Sequence, residues 1–219
     1  MGQWGNGAMG QWGNAAMRQC GNAAMRQWGN ELMDVLALFR ESGALLDGHF
    51  RLSSGLHSAG YLQCALVLQH PRHAEVLGRA LAGSVGASEA SVVLSPAVGG
   101  LVIGHEVARA LGVRAIFAER ENGRMTLRRG FSLAAADRVV VIEDVVTTGL
   151  STRETMDVAR ASGATVVAAG AIIDRSGGQS QVGVPFAALA TLALPTYNPE
   201  ACPLCGAGVP VYAPGSRNA

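Results

Sequence analysis

Val139-Val-Val-Ile142 is an unbroken run of β-branched residues. A strand that is apolar at every position suits a parallel sheet covered on both faces better than a sheet with one wet side. Two acids follow at once, Glu143 and Asp144, and then Val145, Val146, Thr147, Thr148, Gly149, Leu150 and Ser151. The strand therefore leaves the core at Glu143, where a pair of carboxylates can meet water, a sugar hydroxyl or an oxygen-bound cation. Gly149 is free to take positive φ, so that successive backbone N–H groups of the turn converge on one anion. Ser151-Thr152-Arg153-Glu154 has the form of a capping box, which predicts a helix N-terminus directly behind that anion. The combination suits a sugar phosphate; for the acid pair alone, an ordinary βα turn with solvated carboxylates is the competing reading. No Gly-Lys-Ser/Thr follows the glycine and no Gly-x-Gly-x-x-Gly opens the helix, which disfavours nucleoside triphosphates and dinucleotides.

The same alternation of strand and helix extends along the chain. Asp34 to Gly43 reads as a short amphipathic helix closed by glycine, and His49–Leu52 and Tyr61–Leu68 are strand-like around a polar loop. Pro71 opens a helix to about Val85. Ser91–Ser95 is a buried strand, a helix runs to Leu111, and Val113–Ala118, Thr165–Ile173 and Phe186–Leu194 supply further strands. This order predicts an α/β fold with a mainly parallel sheet flanked by helices, and ligands at the carboxyl ends of the strands. Three more loops fall there. Ser95-Pro-Ala-Val-Gly99-Gly100 lies between a strand and a helix and can offer bare N–H groups to an anion. Glu119 to Arg129, which includes Arg120 and Arg124, is polar and arginine-dense; it suits a flap closing over a polyanion or, equally, a solvated hairpin. Asp174-Arg175-Ser-Gly-Gly178 ends a strand, and Arg175 can grip a planar carboxylate or form a local turn contact with Asp174.

With 219 residues, 49% of them hydrophobic and 15% charged, the chain can bury one substantial core. A formal net charge of +1 provides no field for nucleic acid or membrane, and no apolar stretch reaches membrane-span length. These features lead us to expect a cytoplasmic protein. All seventeen basic residues are arginine, which excludes lysine nucleophiles and Schiff bases. Cys202-Pro-Leu-Cys205 has zinc-knuckle spacing, yet no second Cys or His pair lies nearby in sequence; a tail turn is the leading reading, ahead of metal or redox roles. Residues 1–32 are four copies of one octapeptide. Successive copies advance about 80° around a helix, so Trp4, Trp12 and Trp28 line no common stripe. We read 1–32 as a disordered extension ahead of a start at Met33, and 33–219 as one domain.

Several segments together resemble the type I phosphoribosyltransferases, and within them the orotate phosphoribosyltransferases: Gly48-His-Phe-Arg-Leu-Ser-Ser-Gly55, Ser95 to Gly100, Arg124-Met-Thr-Leu-Arg-Arg-Gly-Phe131, Val141 to Gly149 and Asp174 to Gly178. The resemblance runs from about Met33 to Arg217, including the Cys-Pro-Leu-Cys tail. It implies the family's fold with a small N-terminal hood, phosphoribosyl pyrophosphate and orotate as substrates, Mg²⁺ as cofactor and a homodimer. It also implies that Glu143 to Ser151 hold the ribose 5-phosphate. Glu143 and Asp144 would lie on the ribose hydroxyls or their Mg²⁺, with Asp144 as metal ligand. Gly99, Gly100, Arg120 and Arg124 would contact pyrophosphate, with Arg120 catalytic alongside the acids, and Thr147 and Arg175 would contact orotate. Relatives carry lysines where this chain has Ser53, Gly99 and the flap arginines, and at Ala59-Gly60, before Tyr61, they often have proline and an aromatic, which implies a looser pocket edge over the base. A phosphoribosyltransferase for another base, or a non-catalytic regulator sensing phosphoribosyl pyrophosphate, are the alternatives.

Overall fold

The computed structural model describes residues 34–214 except Ser53. The octapeptide extension, Met33, Ser53 and Arg217 lie outside the described residues. In chain order the elements are α1 (Val35–Glu41), β1 (Leu45–Arg51), β2 (His57–Leu62), α2 (Cys64–Leu68), α3 (Pro71–Val85), β3 (Val92–Pro96), α4 (Gly100–Leu111), β4 (Arg114–Glu121), β5 (Arg124–Leu127), β6 (Arg138–Val146), α5 (Leu150–Ala161), β7 (Thr165–Asp174), β8 (Phe186–Thr191) and β9 (Thr196–Tyr197). A 3₁₀ turn (Pro199–Ala201) and α6 (Pro203–Gly206) follow.

The six strands of the central sheet are ordered β5-β4-β3-β6-β7-β8. Every pairing is parallel except β4 with β5. The apolar run at Val139–Ile142 sits at its centre and is fully buried. Because side chains alternate along a strand, Val92, Leu94, Val139 and Val141 pack with Met156 and Ala159 of α5 on one face. On the other face, Gly170 leaves room for Val85 and Leu81 of α3 and for Ile142, while Gly104 of α4 lies against Val93 and Ser95 of β3. Each such aliphatic side chain stabilises the fold by roughly 1.5–3 kcal/mol when fully buried, which is why the sheet holds its loops rigidly. A second, antiparallel sheet of β1-β2-β9 forms the hood.

Three expectations change. Cys64–Leu68 is helical rather than a continuation of the strand; an apolar pentapeptide alone does not distinguish the two periods. The polar segment after Ala118 is a hairpin whose strand β5 extends the sheet, turning at Asn122 (φ 49°) and Gly123 (φ 80°), the pair of left-handed residues a two-residue type I′ turn requires. Met125 and Leu127 anchor it against the face covered by α5. Third, the capping box does not form. Helix α5 begins at Leu150 behind Gly149 at φ 71°, without a side-chain cap. Ser151 and Thr152 are already inside the helix, and Glu154 is ion-paired with Arg120.

Candidate active site

Chain order in the sheet reverses between β3 and β6, since β3 leads outward to β4 and β6 outward to β7. Such a switch point opens a crevice at the strands' carboxyl ends. The loop from Pro96 to Gly100 forms one wall, and Glu143 to Ser151 forms the other. A cavity of about 230 Å³ lies here, lined by Glu143 and the run from Val145 to Thr152. The amides that open α5 have no earlier helical carbonyl to bond, and the left-handed Gly149 turns the loop so that they face the cavity's anion position.

Glu143 is buried and Asp144 partly so, and among the described residues no arginine or histidine pairs with either. Burial pushes the Glu143 carboxyl well above the usual carboxylate range, and the neighbouring Asp144 charge pushes it further. Asp144 is raised as well, chiefly by burial. Cys64, at the start of α2, has its thiol raised by burial and then by these two carboxylates. An acid pair held without a protein counter-cation is built to receive positive charge from its ligand. The pyrophosphate-side wall approaches it closely: a Cβ on Gly99 would sit 2.7 Å from both Asp144 carboxylate oxygens. Only a residue lacking a side chain brings that backbone so near the carboxylate.

Across the crevice, Arg175 follows β7, with its N–H donating to the Val146 carbonyl at 2.7 Å. Asp174 does not pair with it. The Asp174 carboxylate instead accepts from the Ser176 N–H at 2.8 Å and the Ser176 hydroxyl at 2.6 Å, closing its own turn. Arg175 is left half-buried, with its Nε lacking a hydrogen-bond partner and no ion pair among the described residues. Desolvation lowers its pKa, and the nearby Tyr61 phenol partly offsets that. Tyr61 also feels Asp144, which places it between the guanidinium and the acid pair. Thr147 is exposed at the cavity.

The flap arginines divide. Arg120 is ion-paired with Glu154 of α5 and donates to the Gly123 carbonyl at 2.7 Å. Arg129 makes two bonds of 2.8 Å to Glu119 and lies over the Phe117 ring, and Arg128 faces Glu121 at 3.4 Å. Arg124 is exposed at the hairpin and makes no ion pair among the described residues.

Sequence reasoning placed the two walls and Arg175 but missed Cys64 beside the acids. It also missed a second cluster, where Cys202 and Cys205 meet His49 and His57. The Cys-x-x-Cys spacing was the available signal, but its complement lies about 150 residues earlier in the chain.

Solved structures share this architecture. Orotate phosphoribosyltransferase from Aeropyrum pernix superposes with a TM-score of 0.60 at 28% identity, covering 71% of this chain and 92% of that one. The fold of the Mycobacterium tuberculosis orotate phosphoribosyltransferase in complex with inorganic phosphate is also similar, with a TM-score of 0.60 at 21% identity, covering 74% and 95%. The switch-point crevice and this fold define the type I phosphoribosyltransferase class. No protein-family model matches the chain. Curated relatives include the orotate phosphoribosyltransferases of Pelotomaculum thermopropionicum, 55% identical over 184 residues that span 84% of this chain and 97% of that one, and of Heliobacterium modesticaldum, 55% identical over 185 residues that span 84% and 97%. The chain belongs to the orotate phosphoribosyltransferase family.

Proposed function

We propose that the protein transfers the 5-phosphoribosyl group of phosphoribosyl pyrophosphate to a ring nitrogen of orotate, forming orotidine 5′-phosphate and pyrophosphate in the synthesis of UMP. The half-buried Arg175 without a carboxylate partner carries the choice of base, because a desolvated guanidinium calls for a planar anion and orotate has a ring carboxylate. Thr147 lies beside it for a further contact to the base.

The amides from Val145 to Ser151 hold the 5-phosphate at the start of α5. Glu143 and Asp144 face the ribose, accept from its hydroxyls, and stabilise the positive charge that builds on the sugar carbon as its bond to pyrophosphate breaks. Gly99 and Gly100 present backbone N–H groups to the departing pyrophosphate. Arg120 reaches it by exchanging Glu154 for phosphate oxygens, and Arg124 meets it from the hairpin. The donor set fits Mg²⁺, since hard carboxylate oxygens stand without a protein counter-cation. Asp144 would hold the ion, which when bound supplies charge neutralisation to the leaving group. Orotate is already anionic, so positioning and water exclusion by the hairpin contribute much of the rate. The family resemblance further suggests a homodimer working in the cytoplasm on small-molecule substrates.

Incubating the purified protein with phosphoribosyl pyrophosphate, Mg²⁺ and a panel of bases tests this reading: orotate alone should release pyrophosphate at a substantial rate. Turnover of a purine or uracil in preference to orotate would overturn the substrate assignment. Residues 1–32 are proposed to be dispensable, because Gly/Asn-rich octapeptides offer no continuous apolar face for docking. A chain beginning at Met33 should keep its turnover and solubility; a marked drop in either would make the arm structural.

A further inference from the structure

Four potential ligands from distant parts of the chain converge in the hood. His49 lies on β1, His57 on β2, Cys202 between the 3₁₀ turn and α6, and Cys205 within α6. Their donor atoms all lie within 4.8 Å of one another. His49 Nε2 is 2.8 Å from His57 Nδ1, 3.5 Å from Cys202 Sγ and 3.8 Å from Cys205 Sγ; Cys205 Sγ is 3.3 Å from His57 Nδ1. Tetrahedral zinc with Zn–N near 2.0–2.1 Å and Zn–S near 2.3 Å places its ligand atoms roughly 3.3–3.8 Å apart. The sulfur–nitrogen separations fall in that range, and the nitrogen–nitrogen distance is the one edge that must open slightly.

The imidazole chemistry points the same way. His49 Nδ1 is 2.7 Å from the Val209 carbonyl. A carbonyl only accepts, so Nδ1 carries the proton and Nε2 turns a lone pair toward the cluster. Metal-bound histidines are usually oriented by such a bond from their second nitrogen. His49, His57 and Cys202 are buried, while Cys205 lies at the accessible edge, which offers an entry path. Two thiolates and two neutral imidazoles balance the +2 charge of zinc, and each cysteine releases its thiol proton to solvent as the metal binds. This set of four ligands would leave no open position, which marks a structural rather than a catalytic centre.

The surrounding fold has a use for such a clamp. The tail after β9 contains a three-residue 3₁₀ turn and a four-residue helix, too short to be stable alone. Two backbone bonds stitch it to β1, from Arg51 N–H to the Tyr212 carbonyl and from Tyr212 N–H to the His49 carbonyl, each 2.8 Å. Phe50 on β1 packs between Tyr61 and Tyr212, with ring centroids 5.7 and 6.3 Å away. A metal at this point would therefore fix both the tail and the hood strand that carries Tyr61 toward the crevice.

We propose that His49, His57, Cys202 and Cys205 form a structural zinc site that fastens the C-terminal tail to the hood. The full chain, purified under reducing conditions without chelator, offered Zn²⁺ and dialysed, should retain roughly one zinc per chain by elemental mass spectrometry. Co²⁺ in its place should give the intense visible bands of tetrahedral coordination together with thiolate-to-cobalt charge transfer. Cys205→Ser, at the accessible edge, should lower zinc retention and weaken the charge-transfer band while keeping the circular dichroism of the fold. Stripping zinc from the wild-type protein should lower its melting temperature, and restoring the metal should recover it. Clearly substoichiometric zinc in the reduced wild-type protein, or a weak octahedral cobalt spectrum, would overturn the site in favour of a hydrogen-bonded cluster. A Cys202–Cys205 disulfide that persists in reductant and excludes the metal would overturn it equally. Each readout on the wild-type protein stands even if a variant fails to fold.

Discussion

Asp144→Asn is expected to reduce turnover about 100-fold or more, the loss associated with removing one electrostatic stabiliser of a developing charge. The same change should not weaken the fold. Burial raises the Asp144 pKa, so the ionised carboxylate is a burden on the folded state at pH values above its folded pKa. A neutral amide removes that burden and can still accept the Val145 N–H now bonded to Oδ1 at 2.9 Å. Asparagine also keeps the shape against which Gly99 packs. Activity should therefore fall while the melting temperature holds or rises, a division typical of a group kept for function at the expense of stability. Turnover and thermal melting measured on one preparation separate the two effects. Near-normal turnover from a folded variant would remove the acidic pair from the mechanism.

What the sequence made legible was local and periodic. Val139–Ile142 could only be a buried strand, Pro71 set the start of α3, and the two acids before Thr147-Thr148-Gly149 marked the wall of the crevice. Errors arose where two local readings competed. Cys64–Leu68 is too short to show either period, and the arginines between Glu119 and Arg129 obscured the Asn122-Gly123 turn, although Asn-Gly is a strong hairpin signal. The capping-box pattern was present, but Glu154 gains a full ion pair with Arg120 across the hairpin, a contact 34 residues distant that no local pattern carries. The meeting of His49 and His57 with Cys202 and Cys205 is longer in range still. It depends on β1, β2 and the tail arriving together, and single-sequence spacing contains no trace of that.

Loss of Arg175 should have its largest effect on one substrate only. Arg175→Ala is expected to weaken orotate binding by roughly 2–5 kcal/mol, a fall of about 30-fold to several thousand-fold, the range for removing one member of a buried charge pair. The free protein already bears the cost of holding this guanidinium half-buried, since Asp174 is committed to Ser176 and Nε has no partner. An arriving carboxylate repays that desolvation, which is why the effect should appear in binding rather than in melting temperature. Arg175→Lys should recover only part of the affinity, because a single ammonium cannot reproduce the two parallel bonds of the planar fork. Phosphoribosyl pyrophosphate should bind almost as before, its 5-phosphate resting on the amides between Val145 and Ser151 at the start of α5. Calorimetric titration of each ligand into both variants resolves these expectations. Undiminished orotate affinity in Arg175→Ala would assign the guanidinium another role and reopen the identity of the base.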